Sequence, residues 1–271
     1  MKNTCKYGTN RTIKPENTLP QAASVIDNDM AIYNNELLIE VDTLNIDSAS
    51  FTQIKKACDS DLLKMEEMIL RIVEEKGKMQ NPVTGSGGML IGSIKEVGSK
   101  FPNQNLRIGQ KIATLVSLSL TPLKIDQIIN INLDTDQVKI KGTAILFESG
   151  IYAEIPSDMP ENLALAALDV AGAPAQTAKL VKQGDTVVVI GAAGKSGILC
   201  TYQAKESAGK NGTVIAVINE EWQKGLLEEL QITDHIIMAD ATNAMDVLEK
   251  VGFVANELAD VTINVVNVPN T

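Results

Sequence analysis

The stretch Asp185 to Gly197 reads DTVVVIGAAGKSG. Thr186 to Ile190 is an apolar, β-branched run, which predicts a strand covered on both faces. Gly191, Gly194 and Gly197 then recur at three-residue spacing, each with its own task. The first permits a sharp turn, the second lets backbone N–H groups approach a pyrophosphate, and the third lets the next helix pack on the strand. A helix starting here also presents its positive end to phosphates. Ala193, Lys195 and Ser196 complete the candidate cofactor turn, with Lys195 either over the pyrophosphate or facing solvent.

A second strand follows at the distance a βαβ unit requires. Ile198 to Ala208 reads as helix, Gly209 to Gly212 as its stop, and Thr213 to Ile218 as strand. His235 to Met238 and Val261 to Val266 read as two more parallel strands with helices between. The tip of the second strand, Ile218-Asn219-Glu220-Glu221, sits where an acid bonds the adenosine ribose. With Asn219 and Glu220 there and no basic residue before Lys224, NAD is expected over NADP. Such sheets usually carry about six strands, so the sequence is expected to be part of a longer chain.

Upstream, residues 1–35 carry turn residues without periodicity and read as an extended lead-in. Glu36 to Asp42 (ELLIEVD) alternates like a partly buried strand, and TLNIDSASF runs on into a loop. Leu62, Met65, Ile69 and Ile72 fall at helical spacing between an Asp59/Ser60 start and a Gly77 stop. Met65 and Met68 read as core packing. Gly85 to Gly150 shows short apolar runs between turns, a β-rich unit, and an alanine- and leucine-rich helical texture begins at Pro160. The expected domains are therefore 1–155 and 156–271.

A net charge of −10 with no long basic run argues against nucleic-acid binding and tolerates a cationic substrate. There is no apolar run of about 18 residues and no signal-peptide core, so no membrane association and a cytoplasmic location are expected. Cys5, Cys58 and Cys200 have unrelated spacings and read as free thiols. His235, the sole histidine, opens an apolar strand and reads as structural. It leaves little for a Ser-His-Asp triad or a multi-histidine metal site.

The order of parts, a β-rich unit, a Lys182-x-Gly-Asp185 turn and then VVVIGAAGKSG, resembles the medium-chain dehydrogenase/reductase superfamily. The resemblance implies an α/β chain with a GroES-like N-terminal domain followed by a Rossmann-type domain, here given to its fourth strand. NIDSASFTQI, GKMQNPVTGSGGMLIGS, IATLVSLSLTPLKI, ILFESGIYA and LALAALDVAGAPAQ more specifically resemble the L-erythro-3,5-diaminohexanoate dehydrogenase family. That resemblance implies NAD-dependent oxidative deamination of a small diamino acid in anaerobic lysine fermentation, and a homo-oligomer, expected to be a dimer. Zinc-independent quinone or enoyl reductases, and a nucleotide-binding protein without turnover, are the alternative expectations.

Zinc-dependent relatives carry a Cys in the loop that here reads LNIDSAS and a Gly-His-Glu where Gly85-Ser86-Gly87 stands. Asp47 falls near the Cys position and Ser86 near the His, so a metal-free site is expected. Asp47 and Asp169 are the candidate catalytic carboxylates, able to hold ammonium groups or act as base. For Asp47 a capping role in the turn is equally open. Asp169 lies in an apolar helix, where a buried carboxylate needs a partner. Ser48, Ser50, Ser86 and Glu148 are candidate substrate ligands, Glu148 competing with a solvated-strand role.

Overall fold

The computed structural model describes residues 4–255, 258–268 and 270–271. By contacts the chain divides into two units, the first ending at Asp169 and the second beginning at Val170.

The first unit opens with the short strands β1 (Thr12–Lys14) and β2 (Val25–Ile26), which pair antiparallel. β3 (Glu36–Asn45), α1 (Ser48–Ala57), α2 (Leu62–Lys76), β4 (Met89–Val97), β5 (Lys111–Thr114), β6 (Leu123–Asn132), β7 (Gln137–Phe147), β8 (Tyr152–Glu154) and α3 (Glu161–Asp169) follow. β3 to β8 form one antiparallel sheet in the order β6-β7-β3-β4-β5-β8. β3 lies inside it, and its first four residues are buried without a break instead of alternating. Leu37 and Ile39 join the core with Phe51, Ile54, Met65 and Ile69, while Leu38 packs with Ile145 and Phe147, so both faces are covered.

Three expectations change here. The loop expected at Ser48–Phe51 is the first turn of α1, capped by Asp47. α2 begins not at Asp59/Ser60, which adopt positive φ, but after Asp61, whose carboxylate caps Leu63 and Lys64. Its stop at Gly77 is as expected, in the left-handed conformation at φ 73°. The division after Asp169 lies one helix beyond the boundary expected near Ile155. The reason is that Leu165 of α3 packs with Met89, Ile91 and Ala113 of the first sheet.

Two side chains hold the lead-in. Arg11, 1% exposed, forks onto Glu36 and also reaches the Asp29 and Ala31 carbonyls. Lys78, fully buried, donates from Nζ to the Pro20 carbonyl at 2.6 Å. Burial, with a smaller push from the charge of Lys76, pulls its pKa down to about 8.

The second unit comprises α4 (Gly172–Leu180), β9 (Thr186–Ile190), α5 (Lys195–Ala208), β10 (Thr213–Ile218), α6 (Glu221–Leu230), β11 (His235–Met238), α7 (Ala244–Ala255) and β12 (Val261–Asn264). Its four-stranded sheet is parallel, in the order β11-β10-β9-β12. Val187, Val189, Val214 and Ala216 pack with Cys200, Ala204 and Leu227 on one face. Val188, Ile215 and Val217 pack with Val247 and Val251 on the other. Helices on both faces explain why these strands read as unbroken apolar runs. The helical stretch expected from Pro160 to Val181 is two helices, α3 and α4, and the last strand ends at Asn264 instead of Val266. His235 is exposed at the start of β11, paired in register with Ile215. All three cysteines are free thiols. Among the described residues no helix is long and apolar enough to cross a membrane.

Candidate active site

At the end of β9 the chain turns on Gly191, at φ 81°, and the N–H groups of Gly191 and Ala192 donate to the Val217 carbonyl of β10. The three glycines differ in the room around them. A Cβ on Gly197 would meet the Gly191 carbonyl oxygen at 2.1 Å and the Ala192 backbone at 2.6 Å, so this glycine sets the contact between α5 and the turn. A Cβ on Gly194 would meet only the Gly191 oxygen, at 3.5 Å, which leaves that side open. Gly194 is the N-cap of α5 and has no side-chain cap, so the first N–H groups of the helix, at Lys195, Ser196 and Gly197, face an uncapped end. Ala193 is buried in the core and serves packing, whereas Lys195 is exposed.

The strand tip departs from the expected arrangement. Glu220 is the N-cap of α6, and its carboxylate receives the indole N–H of Trp222. The Gln223 side chain accepts from the backbone N–H of Asn219 and Glu220 at 3.0 and 3.2 Å. A cavity at this end of the sheet is lined by Gly191, Asn219, Asp240 and Thr242, with Ile218 and Val266 among its apolar walls; Glu220 does not line it. The N–H and hydroxyl of Thr242 donate to Asp240 Oδ1 at 2.9 and 2.8 Å and hold this carboxyl below the usual carboxylate range.

In the first unit the loop before β4 lies against the end of β3. A Cβ on Gly88, at φ 103°, would fall 2.0 Å from the Asn45 oxygen and 2.7 Å from the Asp47 nitrogen, so only glycine permits this approach. The consequence is a polar chain across two loops. Asp47 Oδ1 accepts from Ser50 N at 3.0 Å, Ser50 Oγ and Thr84 Oγ1 share a hydrogen bond, and Thr84 Oγ1 accepts from Ser86 N at 3.3 Å. Asn81, fully buried, donates to the Ser50 carbonyl and to Gln53 Oε1. Two buried groups here have no partner among the described residues, the acceptor Asp47 Oδ2 and the donor Asn45 Nδ2.

The structure therefore gathers Asp47, Ser50 and Ser86 and adds Asn45, Asn81 and Thr84, which sequence reasoning did not single out. The available signal for Thr84 and Asn81 was their place in the loop NPVTGSGG next to Ser86. Ser48 turns outward to Asp136 Oδ2 at 3.0 Å. Glu148 lies at the other end of the sheet, accepting from Asn35. β3 pairs with β7 over its full ten residues, so about 30 Å separates the two ends. Asp169 is half-buried at the last position of α3. The N-terminus of that helix is tied to the sheet by Lys111, which bonds Asp42 at 2.7 Å and Glu161 at 3.1 Å. Burial pulls the Lys111 pKa down, but the two carboxylates outweigh it and hold it above its ordinary value. Among the described residues no group of three or more His, Cys, Asp or Glu is placed to hold a metal ion.

The quinone oxidoreductase from Coxiella burnetii has a similar fold, with a TM-score of 0.53 at 18% identity over 96% of this chain and 68% of that one. A protein of Fusobacterium nucleatum subsp. nucleatum named L-erythro-3,5-diaminohexanoate dehydrogenase is 58% identical over 274 residues, covering 100% of this chain and 79% of the relative. One of the same name from Acetoanaerobium sticklandii is 58% identical over 270 residues, covering 98% of this chain and 78% of the relative. The family model described as the L-erythro-3,5-diaminohexanoate dehydrogenase N-terminal domain matches residues 10–156, the span that holds the Asp47, Ser50, Thr84 and Ser86 cluster. With that match over more than half its length and two such relatives, the chain belongs to the L-erythro-3,5-diaminohexanoate dehydrogenase family.

Proposed function

We propose that the second unit holds NAD at the Gly191–Gly197 turn and that the protein oxidatively deaminates L-erythro-3,5-diaminohexanoate at C3 without zinc. The substrate ammonium form, NAD and water give 5-amino-3-oxohexanoate, ammonium, NADH and a proton. The observation that carries the cofactor assignment is the unequal room at the glycines, closed at Gly197 and open at Gly194 beside an uncapped helix end. Family membership supports the substrate. A place in anaerobic lysine breakdown belongs to the same proposal.

The dinucleotide supplies a hydride acceptor, and the chain supplies binding and proton handling. The N–H groups opening α5 bind the phosphates, and Asn219 bonds the adenosine ribose. Asp240, which lines the same cavity, with no basic side chain between Asn219 and Gln223, disfavours a 2′-phosphate. Asp47 Oδ1 is held by Ser50 N, which leaves Oδ2 one hydrogen bond short; the substrate ammonium supplies that donor. Asp47 takes the proton that frees the amine lone pair before hydride loss and passes it to solvent. It then takes a proton from the water that attacks C3 of the iminium and gives it to the nitrogen, so that the C3–N bond breaks. The C3 hydroxyl loses its proton to the departing ammonia, and ammonium leaves. Asn45 Nδ2 orients that water, and Asp169 holds the second ammonium. No step needs a Lewis acid.

The test follows NADH and ammonium released in equal amounts from 3,5-diaminohexanoate, with and without chelator. Asp47→Asn is expected to lower turnover by about a hundredfold or more while dinucleotide affinity stays unchanged. Wild-type turnover by that variant would remove Asp47 from the mechanism, and loss of activity with chelator would remove zinc independence.

A further inference from the structure

The cavity at the C-terminal ends of β9, β10 and β11 contains a carboxylate that the sequence pattern did not mark. Asp240 follows β11, one strand farther from the glycine turn than Asn219 at the tip of β10. Neighbouring strands lie about 4.8 Å apart, so a ribose at Asn219 carries its base toward Asp240. Ile218, Ala241 and Val266 line the same cavity with apolar surface suited to the faces of a planar ring. Asp240 is exposed, and the two bonds from Thr242 both go to its Oδ1. Glu220, the acid expected to meet the adenosine, is instead bonded to Trp222 and lies outside the lining.

We propose that Asp240 reads the adenine ring of the dinucleotide by accepting a hydrogen bond from its 6-amino group. This rests on the cofactor assignment above. An ionised carboxylate only accepts hydrogen bonds. It pairs with a base that presents an amino donor at position 6 and repels one that presents an oxygen there. Thr242 fixes the carboxylate plane, and the ribose contact stays with Asn219.

The experiment measures equilibrium binding by calorimetry, with NAD and with nicotinamide hypoxanthine dinucleotide, which carries an oxygen in place of the 6-amino group. Wild type is expected to bind NAD about tenfold more tightly, the scale of one charge-assisted hydrogen bond. In Asp240→Asn, whose amide can also donate, the two affinities should come within about twofold of each other. Asp240→Ala should lose NAD affinity and discrimination together, and Glu220→Gln should keep both. Equal discrimination by wild type and Asp240→Asn, or its loss in Glu220→Gln alone, would overturn the assignment. If wild type binds neither dinucleotide, the cofactor assignment itself fails, an outcome distinct from NAD binding that ignores position 6.

Discussion

Ser50 Oγ and Thr84 Oγ1 lie 2.6 Å apart and join the first turn of α1 to the loop that leads into β4. The contact spans 34 residues of sequence and fixes the loop that carries Ser86 beside the turn that carries Asp47. Thr84→Val keeps the shape and removes the hydroxyl. It is expected to cost about 1 kcal/mol of stability and to lower turnover more than substrate affinity, whereas Thr84→Ser preserves both. Urea midpoints together with steady-state kinetics check this, and wild-type turnover in Thr84→Val would show the bond to be dispensable.

The glycines of the cofactor turn should separate by phenotype. Gly194→Ala has space for its methyl group in the free protein, so its melting temperature should stay near wild type while NADH affinity falls at least tenfold. Gly197→Ala drives a Cβ into the Gly191 carbonyl and should lose stability and affinity together. Thermal melts and fluorescence titration with NADH read the two effects. Equal loss of stability in both variants would contradict the difference in room.

Arg11 forks onto Glu36 at 2.7 and 2.8 Å, with its guanidinium 4.8 Å from the Tyr33 ring centre. Arg11→Met leaves the Glu36 carboxylate buried without its cation, which should cost about 3–5 kcal/mol. Arg11→Lys keeps the charge but loses the fork and should fall between the two. Denaturant midpoints rank the three proteins, and a neutral Arg11→Met would refute the energetic weight given to this pair.

Lys78 predicts a rise of stability with alkalinity. Its pKa is about 8 in the folded chain against an ordinary 10.5, so between these values the unfolded chain binds more protons. Its contribution therefore grows as pH rises from about 8 to 10.5 and is absent below that window, reaching on the order of 3 kcal/mol. Comparing wild type with Lys78→Met isolates the effect from other groups. The methionine variant should show less of the gain between pH 7.5 and about 9.5, and parallel curves for the two proteins would exclude it.

The strand, turn and helix around Gly191 were legible because spacing, β-branching and a stop at Gly209 all agree. α2 was legible from its apolar period, although Asp59 and Ser60 form the turn before it and Asp61 the cap. α1 was not legible, since SASFTQIKKA offers few apolar positions, and only burial of Phe51 and Ile54 beneath the sheet makes it a helix. Asp47 left cap and catalyst open from sequence; its Oδ1 is the cap, and its Oδ2 is left for the proposed chemistry. Glu148 looked like a neighbour of these residues only because sequence does not reveal that a ten-residue strand separates the two ends of the sheet. The pairing of Ser50 with Thr84, and the capture of Glu220 by Trp222, depend on loop geometry that no periodicity encodes.

The clips on the lead-in set an order of events during synthesis. Pro20 and Gln21 leave the ribosome first, yet their carbonyls are held by Lys78 and Gln80, 58 and 59 residues later in the chain. Until those side chains emerge, the clips on the Pro20 and Gln21 carbonyls cannot form, and closing so long a loop carries an entropic cost. The segment around Pro20 and Gln21 is thus made well before the side chains that clip it, and a nascent chain halted before Lys78 should expose it to protease.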